Sequence, residues 1–241
     1  MLVKTKAIVL TSVKYGDSDL IVKCLTQEGM KSYMLRRIFG SRSKKVKLGY
    51  FQPLSLLELT ANHNQKGRLN SLREVRISYF QETIPVNIQK QSIALFLAEV
   101  MASSIREEES NPALFEFVET ALIWLDTHKK IANFHLLFLY RLTRYLGFNP
   151  DVKQSGEEYF DLLEGSFSRS RPFNPLIEKE KLVLFRSLIG INFDSLDSLK
   201  WNAQSRQVLM DVLMSYYALH LEGFKEPRSL NVLKDGFNEI S

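Results

Sequence analysis

Few residues of this chain could carry bond-making chemistry. The four histidines, His63, His128, His135 and His220, match no metal-ligand spacing, and each reads as a surface or hydrogen-bonded histidine. The single cysteine, Cys24, excludes an intramolecular disulfide and a cysteine-based zinc ribbon. It alternates with Leu20 and Val22 along one strand face, which fits a buried, inert thiol better than a reactive one. Asp17 and Asp19 could pair as metal-binding carboxylates, but a metal-dependent nuclease needs further acids nearby, so a turn role is the plainer reading. No Gly-x4-Gly-Lys-Ser/Thr loop and no GxGxxG run occurs. No nucleophile, base and orienter assemble from local spacing, so neither an enzyme nor a cofactor or metal site is expected.

What remains is charge. The 241 residues carry 32 Lys or Arg and 27 Asp or Glu, a net charge of +5. Residues 1–80 hold 15 of those bases against five acids, a balance of +10, and residues 81–241 hold the other 17 against 22, a balance of −5. Between Lys31 and Lys47 stand seven bases and no acid: Lys31, Arg36, Arg37, Arg42, Lys44, Lys45 and Lys47. Such a run suits a polyanion, because each phosphate contact releases condensed counterions. Tyr33, Phe39, Tyr50 and Phe51 lie in or beside it. An aromatic there either fills a small core or stacks on an unpaired base. The candidate DNA-binding set is the seven bases with Tyr33.

The elements around these residues change character near residue 80. Before it, alternation and turn clusters mark five strands. The first opens at Val3–Val9 and the second is Asp19–Thr26, after the Tyr15–Ser18 turn. The third is Met30–Ile38, the fourth Tyr50–Ala61 with Pro53 pushing it toward an edge, and the fifth Arg68–Phe80. Five short strands in 80 residues have the size of a partly open OB barrel. After residue 80 the apolar period becomes helical. Ile93, Phe96, Leu97, Val100 and Met101 form one face, and Asn111–Pro112 starts a second helix. A third spans about 131–146 and is apolar all round at Leu136–Tyr140; two more centre on Leu182–Ile189 and Leu209–Tyr216. Residues 149–176 read as irregular. Trp124 and Trp201 read as packing residues. Arg141 and Arg144, with Lys129 and Lys130 upstream, could grip an acidic peptide tail beside an apolar pocket, or could be ordinary surface charge. The expected fold is therefore α+β, an N-terminal five-stranded OB barrel over 1–80 followed by an all-helical domain over 81–241.

Several segments, taken in order, resemble the bacterial recombination mediator family RecO. They are Thr5–Leu10 (TKAIVL), Tyr15–Val22 (YGDSDLIV), Leu25-Thr26 with Gly29, Ser43-Lys44, Leu54 with Leu57-Glu58-Leu59, Leu146-Gly147-Phe148 and Tyr159–Leu162. The resemblance implies a non-enzymatic protein that binds single- and double-stranded DNA and anneals complementary strands. It implies binding to the acidic C-terminal tail of single-strand-binding protein, partnership with RecR, and indirect action on RecA. Two departures stand out. Many members carry a four-cysteine zinc module near the irregular segment, which has no cysteine here. Where the family commonly has Lys-Gly after the third strand, this chain has Arg36-Arg37, so the loop path is open to change.

With 45% hydrophobic and 24% charged residues the composition is that of a soluble globular protein. The N-terminus does not read as a signal peptide and no apolar run reaches membrane-spanning length, so the expected location is the cytoplasm, in association with the nucleoid. An OB-fold RNA-binding or ribosome-associated factor is the alternative, and a protein scaffold acting through its acidic helices is a third reading.

Overall fold

The computed structural model describes residues 1–39, 48–64, 69–105 and 110–238. Five strands, β1 (Leu2–Tyr15), β2 (Asp19–Thr26), β3 (Gly29–Leu35), β4 (Leu56–Asn62) and β5 (Leu69–Tyr79), close a barrel in the order β1-β2-β3-β5-β4. The β3–β5 pair is parallel and the others antiparallel. Alternation turns Ala7, Val9, Leu20, Val22, Cys24, Tyr33, Leu35, Leu57, Leu59 and Ala61 into one interior cluster with Phe51. Ile8 alternates with these and points away from the interior, yet is fully buried. The helix α1 (Ile88–Ser104) packs on β1.

The fourth expected strand begins later than its sequence suggests. Leu48–Phe51 forms a 3-10 turn instead, and Leu54 adopts a left-handed backbone (φ 62°) before β4 starts. The cause is visible at Ser12, whose hydroxyl donates to Phe51 O at 2.7 Å, while Leu54 N donates to Val9 O at 2.7 Å. This segment is seated on β1 at its bulge, where the register shifts between Val9 and Thr11, and is not paired in the ladder.

The chain divides into two compact units, Met1–Asp126 and Thr127–Ser241. The first contains the barrel, α1 and nearly all of α2 (Pro112–Thr127). Asn111 caps α2 as expected, its Oδ1 accepting from Leu114 N at 2.9 Å. Lys6 pairs with Glu119 at 2.9 Å, and Ser110 Oγ donates to Gln27 O at 3.0 Å, so α2 is tied to the barrel at two places. At its far end Asp126, 2% exposed, anchors the segment leaving β5. Its carboxylate accepts from the amides of Glu82 (3.0 Å), Thr83 (2.8 Å) and Ile84 (2.9 Å) and from Tyr79 Oη (3.2 Å). Buried Lys90 donates to the Asp126 carbonyl at 2.8 Å and to Thr83 Oγ1 at 2.6 Å.

The second unit is built on α3 (Phe134–Tyr145), buried along Phe134–Tyr140, with α4 (Lys179–Arg186), α5 (Ala203–His220) and α6 (Leu230–Asn238). Tyr217 Oη donates to Leu139 O at 2.8 Å and Tyr216 Oη to Phe148 O at 2.9 Å, locking α5 to α3 and its exit. The segment read as irregular, 149–176, holds β6 (Tyr159–Asp161) and β7 (Ser166–Ser168), which form a three-stranded antiparallel sheet with β8 (Leu176–Glu178) at its end, in the order β7-β6-β8. Strands of three residues are too short to show a period of two. Phe160 sits at the centre, its ring 4.7 Å from Phe185, 4.9 Å from Phe167 and 6.0 Å from Tyr216. Asp161 closes the turn that follows, accepting from Leu163 N, Glu164 N and Asn174 Nδ2 at 2.9–3.0 Å.

Candidate nucleic-acid interface

One end of the barrel gathers cations and exposed rings. Strand β1 continues past its apolar stretch through Val13, Lys14 and Tyr15, and Tyr15 pairs with Asp19 across the turn. Val13 is 59% exposed, Tyr15 56% and Phe39 43%. The Lys14 ammonium lies 5.5 Å from the centroid of the Phe39 ring, a cation–π distance. Arg36 and Arg37, both exposed, leave β3 beside them.

These groups are held by a small set of bonds between the β1–β2 turn and the β3 exit. Asp19 Oδ1 accepts from Arg37 N at 2.8 Å and from Ser18 Oγ at 3.0 Å, and Phe39 N donates to Ser18 O at 3.3 Å. The Arg37 amide, the Ser18 hydroxyl and the charges of Arg36 and Arg37 hold the Asp19 carboxyl below the usual carboxylate range, against the desolvation that raises it. Arg37 has φ 57°, in the left-handed region that favours glycine. The chain thus follows here a path that suits glycine, with arginine in place.

The expected site residues divide. Arg36 and Arg37 belong to this end. Lys31 lies opposite Cys24 near the start of β3, five residues and hence about 16 Å along the strand from Arg36. Tyr33 is a core residue, 1% exposed, and of the two roles open to it the structure assigns core filling. Its hydroxyl lies 3.2 Å from His63 Nε2, and burial pushes the phenol up. Phe51 is buried and Tyr50 packs against the same core, which leaves Phe39 as the exposed ring of the four aromatics considered. Arg42, Lys44, Lys45 and Lys47 lie outside the described residues. Lys14 and Tyr15 were not singled out from the sequence. The signal for them was the period of two running on through Thr11–Tyr15, into the turn.

In the second unit the four cations proposed for a peptide tail are spread along α3. Lys129 and Lys130 precede the helix, which is about 18 Å long for its 12 residues at 1.5 Å each, and Arg144 is in its last turn. Lys130 pairs with Asp197 at 3.0 Å. Arg141 donates to Ile191 O at 2.6 Å and lies 5.4 Å from the Phe193 ring. Arg144 is exposed. A groove of about 240 Å³ lies elsewhere in this unit, floored by Met210, Leu230 and Leu233 and rimmed by Arg206 and Lys234. His135 lines it as a neutral imidazole, its pKa pushed down to about 3 by burial, with the Arg206 charge adding.

Among the described residues no cluster of three or more His, Cys, Asp or Glu could hold a metal ion. No helix among them is long and apolar enough to cross a membrane.

A closed barrel in this strand order, followed by helices, defines an OB-fold protein with a helical C-terminal half. Residues 1–80 match the family model described as recombination protein O N terminal, and residues 86–230 match that of recombination protein O C terminal. The chain is 44% identical to the DNA repair protein RecO of Flavobacterium psychrophilum over 239 residues, covering 99% of this chain and 100% of the relative. Against DNA repair protein RecO of Christiangramia forsetii the identity is 42%, covering 98% and 100%, and against that of Bacteroides fragilis 35%, covering 99% and 100%. The chain belongs to the recombination protein O family.

Proposed function

We propose that this chain is a non-enzymatic DNA-binding protein of recombinational repair. It anneals complementary strands and helps load RecA onto DNA coated with single-strand-binding protein. The observation that carries the reading is the end of the barrel where Lys14, Arg36 and Arg37 stand beside exposed Tyr15 and Phe39. Cations there neutralise phosphates and rings stack on unpaired bases, and neither interaction depends on sequence. The names of the relatives, DNA repair protein RecO, support the repair role. Lys31, Arg42, Lys44, Lys45 and Lys47 extend the phosphate path, and single- and double-stranded DNA are its ligands. The helical unit takes the acidic tail of single-strand-binding protein through Lys129, Lys130, Arg141 and Arg144, and RecR is the second protein partner. The protein works in the cytoplasm, at the nucleoid.

The test mixes complementary strands, each coated with single-strand-binding protein, adds this chain, and follows duplex formation. Annealing should accelerate, and deleting the tail of the coating protein should abolish the acceleration. No acceleration at any salt concentration sinks the annealing role. Displacement of bound DNA by an equal length of RNA at lower concentration would favour an RNA-binding factor instead.

A further inference from the structure

We propose that Asp19 is a positioning residue for strand binding: through its bond to the Arg37 amide it sets the backbone that displays Arg36, Arg37 and Phe39 beside Lys14 and Tyr15. The proposal rests on the reading that this end of the barrel binds a nucleic-acid strand.

A polyanion site gains nothing from a carboxylate, and Asp19 stands among the cations of this one. Its position is explained by what it holds. Oδ1 receives the Arg37 amide at 2.8 Å and the Ser18 hydroxyl at 3.0 Å. Arg37 pays a steric cost at φ 57°, where Cβ crowds the backbone, and a non-glycine residue persists there only when its surroundings determine it. The Asp19 bond is such a determinant, and the Phe39 N to Ser18 O bond at 3.3 Å is a second, two residues on. Together they turn the chain sharply out of β3, so that Arg36 and Arg37 stay exposed and Phe39 lands under Lys14 at 5.5 Å. Without the carboxylate the Arg37 backbone relaxes toward negative φ, and the cations and the ring leave register with each other. The carboxylate's charge is itself offset by Arg36 and Arg37.

Charge and positioning predict opposite signs for one substitution. Asp19→Ala removes a negative charge, so a purely electrostatic role predicts tighter binding to a labelled single-stranded oligonucleotide, measured by fluorescence anisotropy in the full-length chain. Positioning predicts weaker binding, by about tenfold, the scale of one charge-assisted hydrogen bond. Asp19→Asn keeps an acceptor oxygen for the Arg37 amide without the charge, and should bind at least as well as the parent. Arg37→Gly supplies a residue that takes positive φ unaided. In that background Asp19→Ala should change affinity less than twofold, a non-additivity that a general loss of folding does not produce. Equal or tighter binding by Asp19→Ala overturns the proposal, as does a full tenfold loss from Asp19→Ala in the Arg37→Gly background. The underlying reading is tested separately by the pair Arg36→Glu and Arg37→Glu. Unchanged affinity and salt dependence in that variant would remove the site itself, whereas weakened binding there with an indifferent Asp19→Ala removes only the positioning role.

Discussion

Two aspartates set how the barrel is connected, and only one, Asp19, belongs to the end that gathers cations and exposed rings. Asp126 is the other. Its carboxylate is the shared acceptor for three successive amides and a tyrosine, in a place 2% exposed. Asp126→Ala leaves those donors buried without an acceptor and should cost about 3 kcal/mol, read as a lowered urea midpoint. Asp126→Asn should fall between that variant and the parent. Burial raises the carboxyl's pKa, but the amides of Ile84, Glu82 and Thr83 and the Thr83 hydroxyl outweigh it, and the net direction is down. A lowered folded pKa contributes stability that is present above the unfolded value near 3.9 and is lost as pH falls through the folded one. Melting temperatures of the parent should therefore drop more steeply below about pH 4 than those of Asp126→Asn; parallel curves would refute the role. Nothing local marks Asp126 in the sequence, because the partners of its carboxylate lie more than 40 residues away. Arg36 and Arg37 were legible as part of a basic run. Tyr33 was not resolvable in role, since alternation alone places a tyrosine on a strand without saying which side is covered.

At the scale of elements, legibility followed length and burial. The helices α1, α2 and α5 have apolar faces long enough to show their period, and β2 is bounded by turns on both sides. The Leu48–Phe51 turn was hidden because Phe51 is buried and its carbonyl is held by Ser12 of β1, a contact that composition cannot distinguish from strand pairing. The small sheet β6–β8 was hidden because its strands are held by the packing of Phe160, Phe167 and Phe185 and the Asp161 bonds, with no periodic signal. Gly165 is the tight point of that arrangement. Its φ is 65°, and a Cβ built there would sit 2.6 Å from Tyr216 Oη, the hydroxyl that bonds Phe148 O. Gly165→Ala should cost about 2 kcal/mol through backbone strain and displacement of Tyr216, seen as a lower melting temperature. A Tyr216→Phe background should recover part of the loss; no recovery would place the whole cost in the backbone.

For the molecule as a whole, the +10 and −5 halves read from the sequence do not coincide with the two compact units. The barrel shares its unit with α1 and α2, and with the acids Glu99, Glu116, Glu119 and Asp126 that they carry. The charge of the barrel's strands is therefore partly offset within its own unit, and any exposed charge acts only within about a Debye length, roughly 8 Å at physiological salt. Order along the chain was legible as strands followed by helices, the order in which the two family models match. Which helices share a unit with the barrel was not, because that depends on Lys6–Glu119, Ser110–Gln27 and the Asp126 bonds, all long-range.

The packing of α1 on β1 has a consequence for anyone dissecting this protein. A fragment ending at residue 80 would strip α1 from β1 and remove the acceptor of Tyr79, giving a barrel with an uncovered outer strand and a loose last one. Such a fragment should be prone to self-association, while one ending at residue 127 should unfold cooperatively in urea and remain monomeric by light scattering. If the shorter fragment matched the longer in both respects, the first two helices would be passengers on the barrel and not part of its wall.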